Sequence, residues 1–145
     1  MIQHDDQGSA GLVVNRISRL PLESVLTEES QLSEKNKTLS YGGPVEPKTL
    51  LALVKVRNHP PEPADIVMDN VYITGVGILD GWPDYQREVV DFRAFVGYTG
   101  WAPGQLNVEM ERGDWDVLPA DEDNIFTARD ETLWESLRDK ISAAK

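Results

Sequence analysis

Side chains that could perform catalysis or bind a metal are few in this sequence and lie far apart. The chain has two histidines, His4 and His59, and no cysteine. Neither histidine has a partner at a metal-binding spacing such as H-x-x-x-H. We therefore interpret His59, which precedes Pro60, as a solvated loop residue and His4 as a local hydrogen-bonding residue. The segment G-S-A-G (8–11) differs from the G-x-S-x-G turn that exposes a nucleophilic serine, so we assign no catalytic residue.

The glycine-rich and acidic segments also lack the patterns of known cofactor and metal sites. G-V-G-I-L-D (75–80) lacks the third glycine of a dinucleotide-binding turn, and G-G-P (42–44) is more typical of a simple turn. The spacing of an acidic group near the C-terminus differs from that of a calcium-binding loop. Its members are Asp114, Asp116, Asp121, Glu122 and Asp123. We interpret them as solvated carboxylates and predict neither a metal nor a cofactor.

The stretch V-G-Y-T-G-W-A-P-G-Q-L-N-V-E-M-E-R-G-D-W (96–115) concentrates glycines and aromatic residues. It predicts the end of a strand, a short helix beginning at Pro103, and a helix stop at Gly113. Trp115 and Val117 are expected to begin another buried strand. The large rings are interpreted as scaffolding that packs this unit together, with Trp101 in the core.

A second interpretation of the same stretch is a ledge that binds a ligand. Its site would be a pocket beside Gly43, Tyr98, Trp101 and Gln105. The spacing of these residues does not separate the two interpretations, so both are retained.

Periodicity along the chain indicates which elements position these residues. Strands are predicted at 11–15, 38–44, 50–57, 71–74 and 92–98, and the last is apolar on both faces, as expected of a central strand. Helices are predicted near Pro21 and at 130–143, while 58–65 is a proline-rich loop and 75–84 is rich in turns. The pattern indicates one α+β domain over residues 1–145. Its mixed, largely antiparallel β-sheet packs with a few short helices and a C-terminal helix.

Composition narrows the classes of partner. The net charge is −11, which disfavours direct binding to nucleic acid or to anionic membranes. No apolar run approaches the length that spans a bilayer, and the N-terminus has no signal-peptide pattern. A cytoplasmic location is the resulting expectation.

Several blocks resemble the bacterial YqgE/AlgH family. They are H-x-x-x-G-x-A-G-L-V-V-N-R (4–16), Y-G-G-P-V (41–45) and G-Y-T-G-W-A-P-G-Q-L (97–106), followed by Glu109 and by G-D-W (113–115). The resemblance covers nearly the whole chain, but the family's N-terminal segment is absent here. Loss of that segment would leave a sheet edge open, which predicts pairing with another chain and hence a homo-oligomer.

The resemblance implies an uncharacterised bacterial cytoplasmic protein, with a transcription-regulatory role suggested for the AlgH branch and no catalytic residues to carry over. We therefore expect a non-enzymatic interaction or regulatory protein that acts through an unknown protein partner. The alternative is a small-ligand-binding protein or an enzyme that uses the pocket near Gly43, Tyr98, Trp101 and Gln105.

Overall fold

The computed structural model describes residues 1–32, 37–126 and 132–144. Within these ranges the chain forms eight strands and five α-helices, with one turn of 3-10 helix at Leu22–Val25. The strands are β1 (Gln3–Asp5), β2 (Gly8–Gly11), β3 (Ile17–Pro21), β4 (Thr38–Tyr41), β5 (Val45–Val56), β6 (Asp65–Met68), β7 (Val71–Gly75) and β8 (Val89–Trp101). The helices are α1 (Val76–Asp80), α2 (Tyr85–Glu88), α3 (Gln105–Glu111), α4 (Glu122–Phe126) and α5 (Thr132–Ala144).

Strand β8 forms the centre of the sheet. It pairs antiparallel with β2 and β5 and parallel with β4. The sheet runs in the order β1-β2-β8-β5-β7-β6, and β3 is attached through β4. The middle of β8 is fully enclosed, since Phe92 and Phe95, which lie on opposite faces, are both 0% exposed. The predicted α+β class, with its mixed, largely antiparallel sheet and a central strand at 92–98, is confirmed.

Strand β5 divides its side chains between the two faces of the sheet, as its alternation predicted. Every second residue from Leu50 to Val56 packs into one core, which also contains Leu79 of α1 and Tyr85 of α2. These two short helices therefore cover this face. Burial of each large apolar side chain contributes about 1.5–3 kcal/mol, so packing holds helices that are too short to be stable alone.

The described residues cover the opposite face of the sheet only in part. Leu53 and Phe95 pack there against Phe126 of α4, so this helix closes one end of the face. At the other end, Leu51 and Ile73 belong to the same core and also border an open groove. The apolar face of the sheet therefore continues into solvent at this end.

Two strands were predicted at wrong positions. The first strand lies at Gly8–Gly11 rather than at 11–15. Its residues pair with β1 on one side and with β8 on the other. The second, expected to begin at Trp115, does not form: residues 114–120 are neither helix nor strand. Trp115 is 49% exposed and Val117 is 70% exposed. The alternation of apolar and acidic residues in this segment therefore does not correspond to a buried strand.

The helix predicted near Pro21 is shorter than expected and is of the 3-10 type. Strand β3 continues through Pro21, which pairs with Thr38, and only a single 3-10 turn follows. The missing N–H of proline is tolerated because β3 lies at an edge of the sheet. Leu22, at 1% exposure, enters the core directly after the strand.

The remaining differences concern short elements and the C-terminus. Strand β6 begins at the end of the predicted loop, and α1 occupies part of the segment predicted to be rich in turns. Helix α5 confirms the C-terminal helix predicted at 130–143, of which residues 130 and 131 lie outside the described residues. Leu133 is buried, whereas Trp134 is 57% exposed beneath the Arg138 guanidinium. Among the described residues, no helix is long and apolar enough to cross a membrane.

Candidate functional site

An open groove of about 1050 Å³ lies at the uncovered end of the second sheet face. Its floor is apolar and comes from three strands, β5, β7 and β8. The floor residues are Val45, Leu51, Ile73, Tyr98 and Trp101. The groove therefore extends the second core outwards, with two aromatic rings among its apolar surfaces.

The walls of the groove come from the two ends of the sheet. Residues of β1, including Gln3 and Asp5, line one part, and residues 63–66 line another. Strands β1 and β6 are the two ends of the principal strand order. Both ends of the sheet thus contribute to the same groove.

The charge of the groove is negative. Asp5 and Asp65 line it, and the described residues that line it include no lysine, arginine or histidine. The side chain of Gln3 donates a hydrogen bond to Asp5 at 3.0 Å, and the Gln7 N–H donates another at 2.8 Å. These hydrogen bonds hold the pKa of Asp5 below its ordinary value. Asp5 is therefore ionised at neutral pH.

The four residues proposed from the sequence as a ligand site are only partly brought together. Tyr98 and Trp101 line the groove, while Gly43 and Gln105 lie outside its lining. Gly43 is instead packed against the backbone of β8, where a side chain would collide: a Cβ on Gly43 would lie 2.3 Å from the Tyr98 carbonyl. Gly43 therefore shapes the strand that carries Tyr98.

Gln105 belongs to a hydrogen-bonded cluster centred on Glu109. The Gln105 side chain accepts a bond from the Ala102 N–H at 2.9 Å and donates one to Glu109 at 3.1 Å. The indole N–H groups of Trp101 and Trp115 both donate to the same oxygen of Glu109, at 3.0 and 2.8 Å. Hydrogen bonds from Trp115, then from Gln105 and Trp101, hold the pKa of Glu109 below its ordinary value.

This cluster explains the G-W-x-x-G-Q-L block and the G-D-W that follows it. Helix α3 ends in a double hydrogen bond, from Gly113 to Met110 and from Asp114 to Glu109, with Gly113 at φ 80° as the sequence predicted. The turn returns Trp115 to Trp101, and their rings meet edge to face at 5.8 Å. The block is scaffolding, but Trp101 is only half-buried and faces the groove, so its assignment to the core was wrong.

Gly100 is a position at which a substitution would place a side chain in the groove. It lines the groove in strand β8, and a Cβ built there would lie 3.6 Å from Val45 and 3.8 Å from Tyr98, which are ordinary contact distances. Its φ is not positive, unlike that of Gly97. A larger side chain at position 100 would therefore project onto the groove floor without backbone strain.

A second cluster, which sequence reasoning missed, surrounds His59. The side chain is half-exposed, as a solvated histidine would be, yet Nε2 lies 3.0 Å from Asp84 and Nδ1 lies 3.0 Å from Glu88. Glu88, 3% exposed, also accepts bonds from the Asn58 and His59 backbone N–H groups. Hydrogen bonds from His59 and then Arg87 hold the pKa of Asp84 below its ordinary value. The local sequence gave no signal for this cluster, since the carboxylates lie 25 and 29 positions away.

The other candidate chemical groups have local partners. His4 Nδ1 and Ser9 Oγ lie 2.6 Å apart across the β1–β2 pair, which agrees with the local hydrogen-bonding role predicted for His4. In the acidic group, Asp114 binds Arg112 and Glu122 forms an ion pair with Lys55. Over the described ranges, no three histidine or acidic residues are grouped as a metal site requires.

Comparison with known families gives a match over almost the whole sequence. The model of the AlgH-like family matches residues 1–144. A UPF0301 protein from Mycobacteroides abscessus is 35% identical over 142 residues, which covers 92% of this chain and 65% of the relative. Another from Mycobacterium leprae is 36% identical over 138 residues, covering 92% and 67%. The chain thus spans about two thirds of the length of these relatives, whose names specify no activity.

Solved structures show the same fold. The solution structure of the AlgH protein from Pseudomonas aeruginosa matches with a TM-score of 0.76 at 21% identity, covering 96% of this chain and 75% of the other. A crystal structure of a protein from Corynebacterium diphtheriae matches with a TM-score of 0.74 at 22% identity, covering 93% and 72%. These identities support a shared fold and carry no information on ligands.

Proposed function

This chain belongs to the AlgH-like family of uncharacterised proteins, and we propose that it is a non-enzymatic interaction protein that binds a segment of a partner protein in the groove. A regulatory role, including one in transcription, would then be exercised through that partner. Direct contact with nucleic acid is disfavoured by the net charge of −11.

The observation that supports this proposal is the unfinished apolar face of the sheet. The floor residues Leu51 and Ile73 belong to the second core and also line the open groove, Ile73 with 9% of its surface exposed. Among the described residues, this end of the face is left open. Burying further apolar area against them is favourable by about 25 cal/mol per Å². A partner that supplies the missing layer gains this energy.

The size of the groove also favours a polypeptide segment. Pockets for small molecules occupy about 300–1,000 Å³, and this groove, at about 1050 Å³, lies just above that range and is open. The alternative, a small organic ligand, is favoured by the rings of Tyr98 and Trp101 in the lining. The experiment below separates the two.

The test is selection from a displayed library of random eight-residue peptides, with Gly100→Leu as the blocking variant. Leucine at this position fills the groove without backbone strain, so we expect recovered peptides to bind the wild-type chain and to bind Gly100→Leu at least tenfold more weakly. Gly77→Leu is the matched control, because Gly77 is exposed on α1 and a Cβ there meets no atom within 4 Å.

A screen of metabolites by thermal shift runs in parallel. Suppose that a small molecule stabilises the wild-type chain saturably but not the Gly100→Leu variant, while no peptide binds in a Gly100-dependent manner. That result would replace the proposal by the small-ligand function. Peptides that bind Gly100→Leu as well as the wild type would remove the groove as the binding site.

A further inference from the structure

The groove is bounded by a sheet edge that has no neighbouring strand. Strand β6 pairs with β7 alone among the described strands. Residues 63–66, at and just before the start of β6, line the groove without interruption. Ile66 is 63% exposed. An edge strand presents N–H and C=O groups on alternate residues to whatever lies beside it.

Strand β1 contributes to the groove in a different way. Gln3 and Asp5 line it, but His4 between them does not. Within the two strands, Gln3 and Asp5 of β1 alternate in the lining, whereas Asp65 and Ile66 of β6 are consecutive. The free edge of β6 is therefore the better placed of the two to pair with the backbone of an occupant.

The charges and rings of the groove select a cationic occupant. Asp5 and Asp65 both line it, and no lysine, arginine or histidine is among the described lining residues. Tyr98 and Trp101 add aromatic faces, which attract ammonium and guanidinium groups as well as apolar side chains. A second copy of this chain, at a net charge of −11, is disfavoured as occupant by repulsion.

We propose that the groove binds an extended, basic segment of another protein, which adds to the free edge of β6 as a further strand. The inference rests on the function proposed above and specifies its partner. Alternate side chains of the segment face the apolar floor, and lysine or arginine side chains reach Asp5, Asp65 and the aromatic rings. Backbone hydrogen bonds to β6 give the affinity, and the side chains give the selectivity.

The backbone part is tested with the alternating peptide Lys-Val-Lys-Val-Lys-Val-Lys-Val, blocked at both ends, and two N-methylated forms. One form carries methyl groups on the odd-numbered amides and the other on the even-numbered amides. A strand added to one edge uses the N–H groups of alternate residues only. We expect one methylated form to bind at least tenfold more weakly than the parent peptide and the other to stay within about threefold.

The charge part is tested with a Glu-for-Lys version of the peptide and with the variants Asp65→Asn and Asp5→Asn. We expect the acidic peptide not to bind and each variant to weaken binding of the basic peptide several-fold, with the weakening reduced at high salt. Equal binding of the acidic and basic peptides would overturn the charge assignment. Equal effects of the two methylation patterns would overturn strand addition.

The failure of this inference can be distinguished from failure of the proposed function. If peptides bind in a Gly100-dependent manner but ignore methylation and charge, the groove is a peptide site and the strand-addition inference is wrong. If no peptide binds in a Gly100-dependent manner, both are wrong. If sedimentation shows self-association and Gly100→Leu prevents it, the occupant is a second copy of this chain. If spermidine displaces the peptide and binds saturably by itself, the occupant is a small cation.

Discussion

At the scale of single residues, Glu109 connects the parts of the motif by which the family was recognised. One carboxylate accepts hydrogen bonds from Trp101, Trp115 and Gln105. The spacing of these residues could be read from the sequence, but their convergence on a single acid could not. Neither could the half-exposed position of Trp101, because tryptophan is common both in cores and at binding surfaces.

The stability that Glu109 contributes should depend on pH. Its pKa is lowered in the folded chain by hydrogen bonds to the charged form. The contribution is therefore present above the ordinary carboxyl pKa of about 4.3 and is lost as the pH falls below it. We expect Glu109→Gln to have a lower Tm than the wild type at pH 7, with the difference shrinking between about pH 5 and pH 3. Thermal unfolding monitored by circular dichroism measures this, and a constant difference across that range would contradict it.

Trp101 should contribute both packing and a hydrogen bond. Because the ring is only half-buried, Trp101→Ala is expected to lower the free energy of unfolding by about 2 kcal/mol, less than for a core tryptophan. Trp101→Phe keeps most of the packing and loses the bond to Glu109, so a loss of about 1 kcal/mol is expected. Urea unfolding of the three proteins provides the values. Equal losses for both variants would assign the whole effect to the hydrogen bond.

At the scale of elements, the contact between the Gly43 turn and β8 determines how the floor of the groove is built. Gly97 has a φ of 70°, and a Cβ there would lie 2.3 Å from the Gly43 carbonyl oxygen. Leu50 of β5 pairs with Val96 of β8, and Val45 pairs with Tyr98, so β5 advances by five residues where β8 advances by two. The resulting irregularity brings Val45 beside Tyr98 in the groove. Neither glycine can carry a side chain without moving this junction.

Gly97→Ala is accordingly expected to destabilise the chain by at least about 2 kcal/mol, from backbone strain and from the collision with Gly43. The matched control is Gly77→Ala in α1, where no atom is near and φ is not positive. That change should be neutral or stabilising by up to about 1 kcal/mol. Chemical denaturation of both variants is the measurement, and a Gly97→Ala variant as stable as the control would refute the close contact.

Long, strongly patterned elements were predictable, and short ones were not. The alternation of β5 and the continuous apolar run of β8 survive because tertiary packing uses the same periods that the sequence shows. Strand β6 has four residues and follows a proline-rich loop, so its pairing with β7 decides its conformation and leaves little local signal. The groove arises from the relation of β6 to β1, residues some 60 positions apart along the chain, which one sequence does not reveal.

At the scale of the whole molecule, the net charge of −11 sets which partners can approach. Long-range repulsion opposes binding to phosphate backbones, and the acidic groove favours basic segments. We expect no salt-sensitive retardation of duplex DNA in a gel at low ionic strength. A retardation that weakens steeply with added salt would contradict this and would reveal a local basic surface.

The position of Glu88 in α2 connects this helix with the groove through one loop. Glu88 accepts hydrogen bonds from the backbone N–H groups of Asn58 and His59, at the start of a loop. The other end of this loop, at Pro63 and Ala64, forms part of the groove wall. Occupancy of the groove should therefore be transmitted along the loop to α2. The imidazole NMR signals of His59 would then report ligand binding from a position that no ligand touches, giving a built-in sensor for titrations.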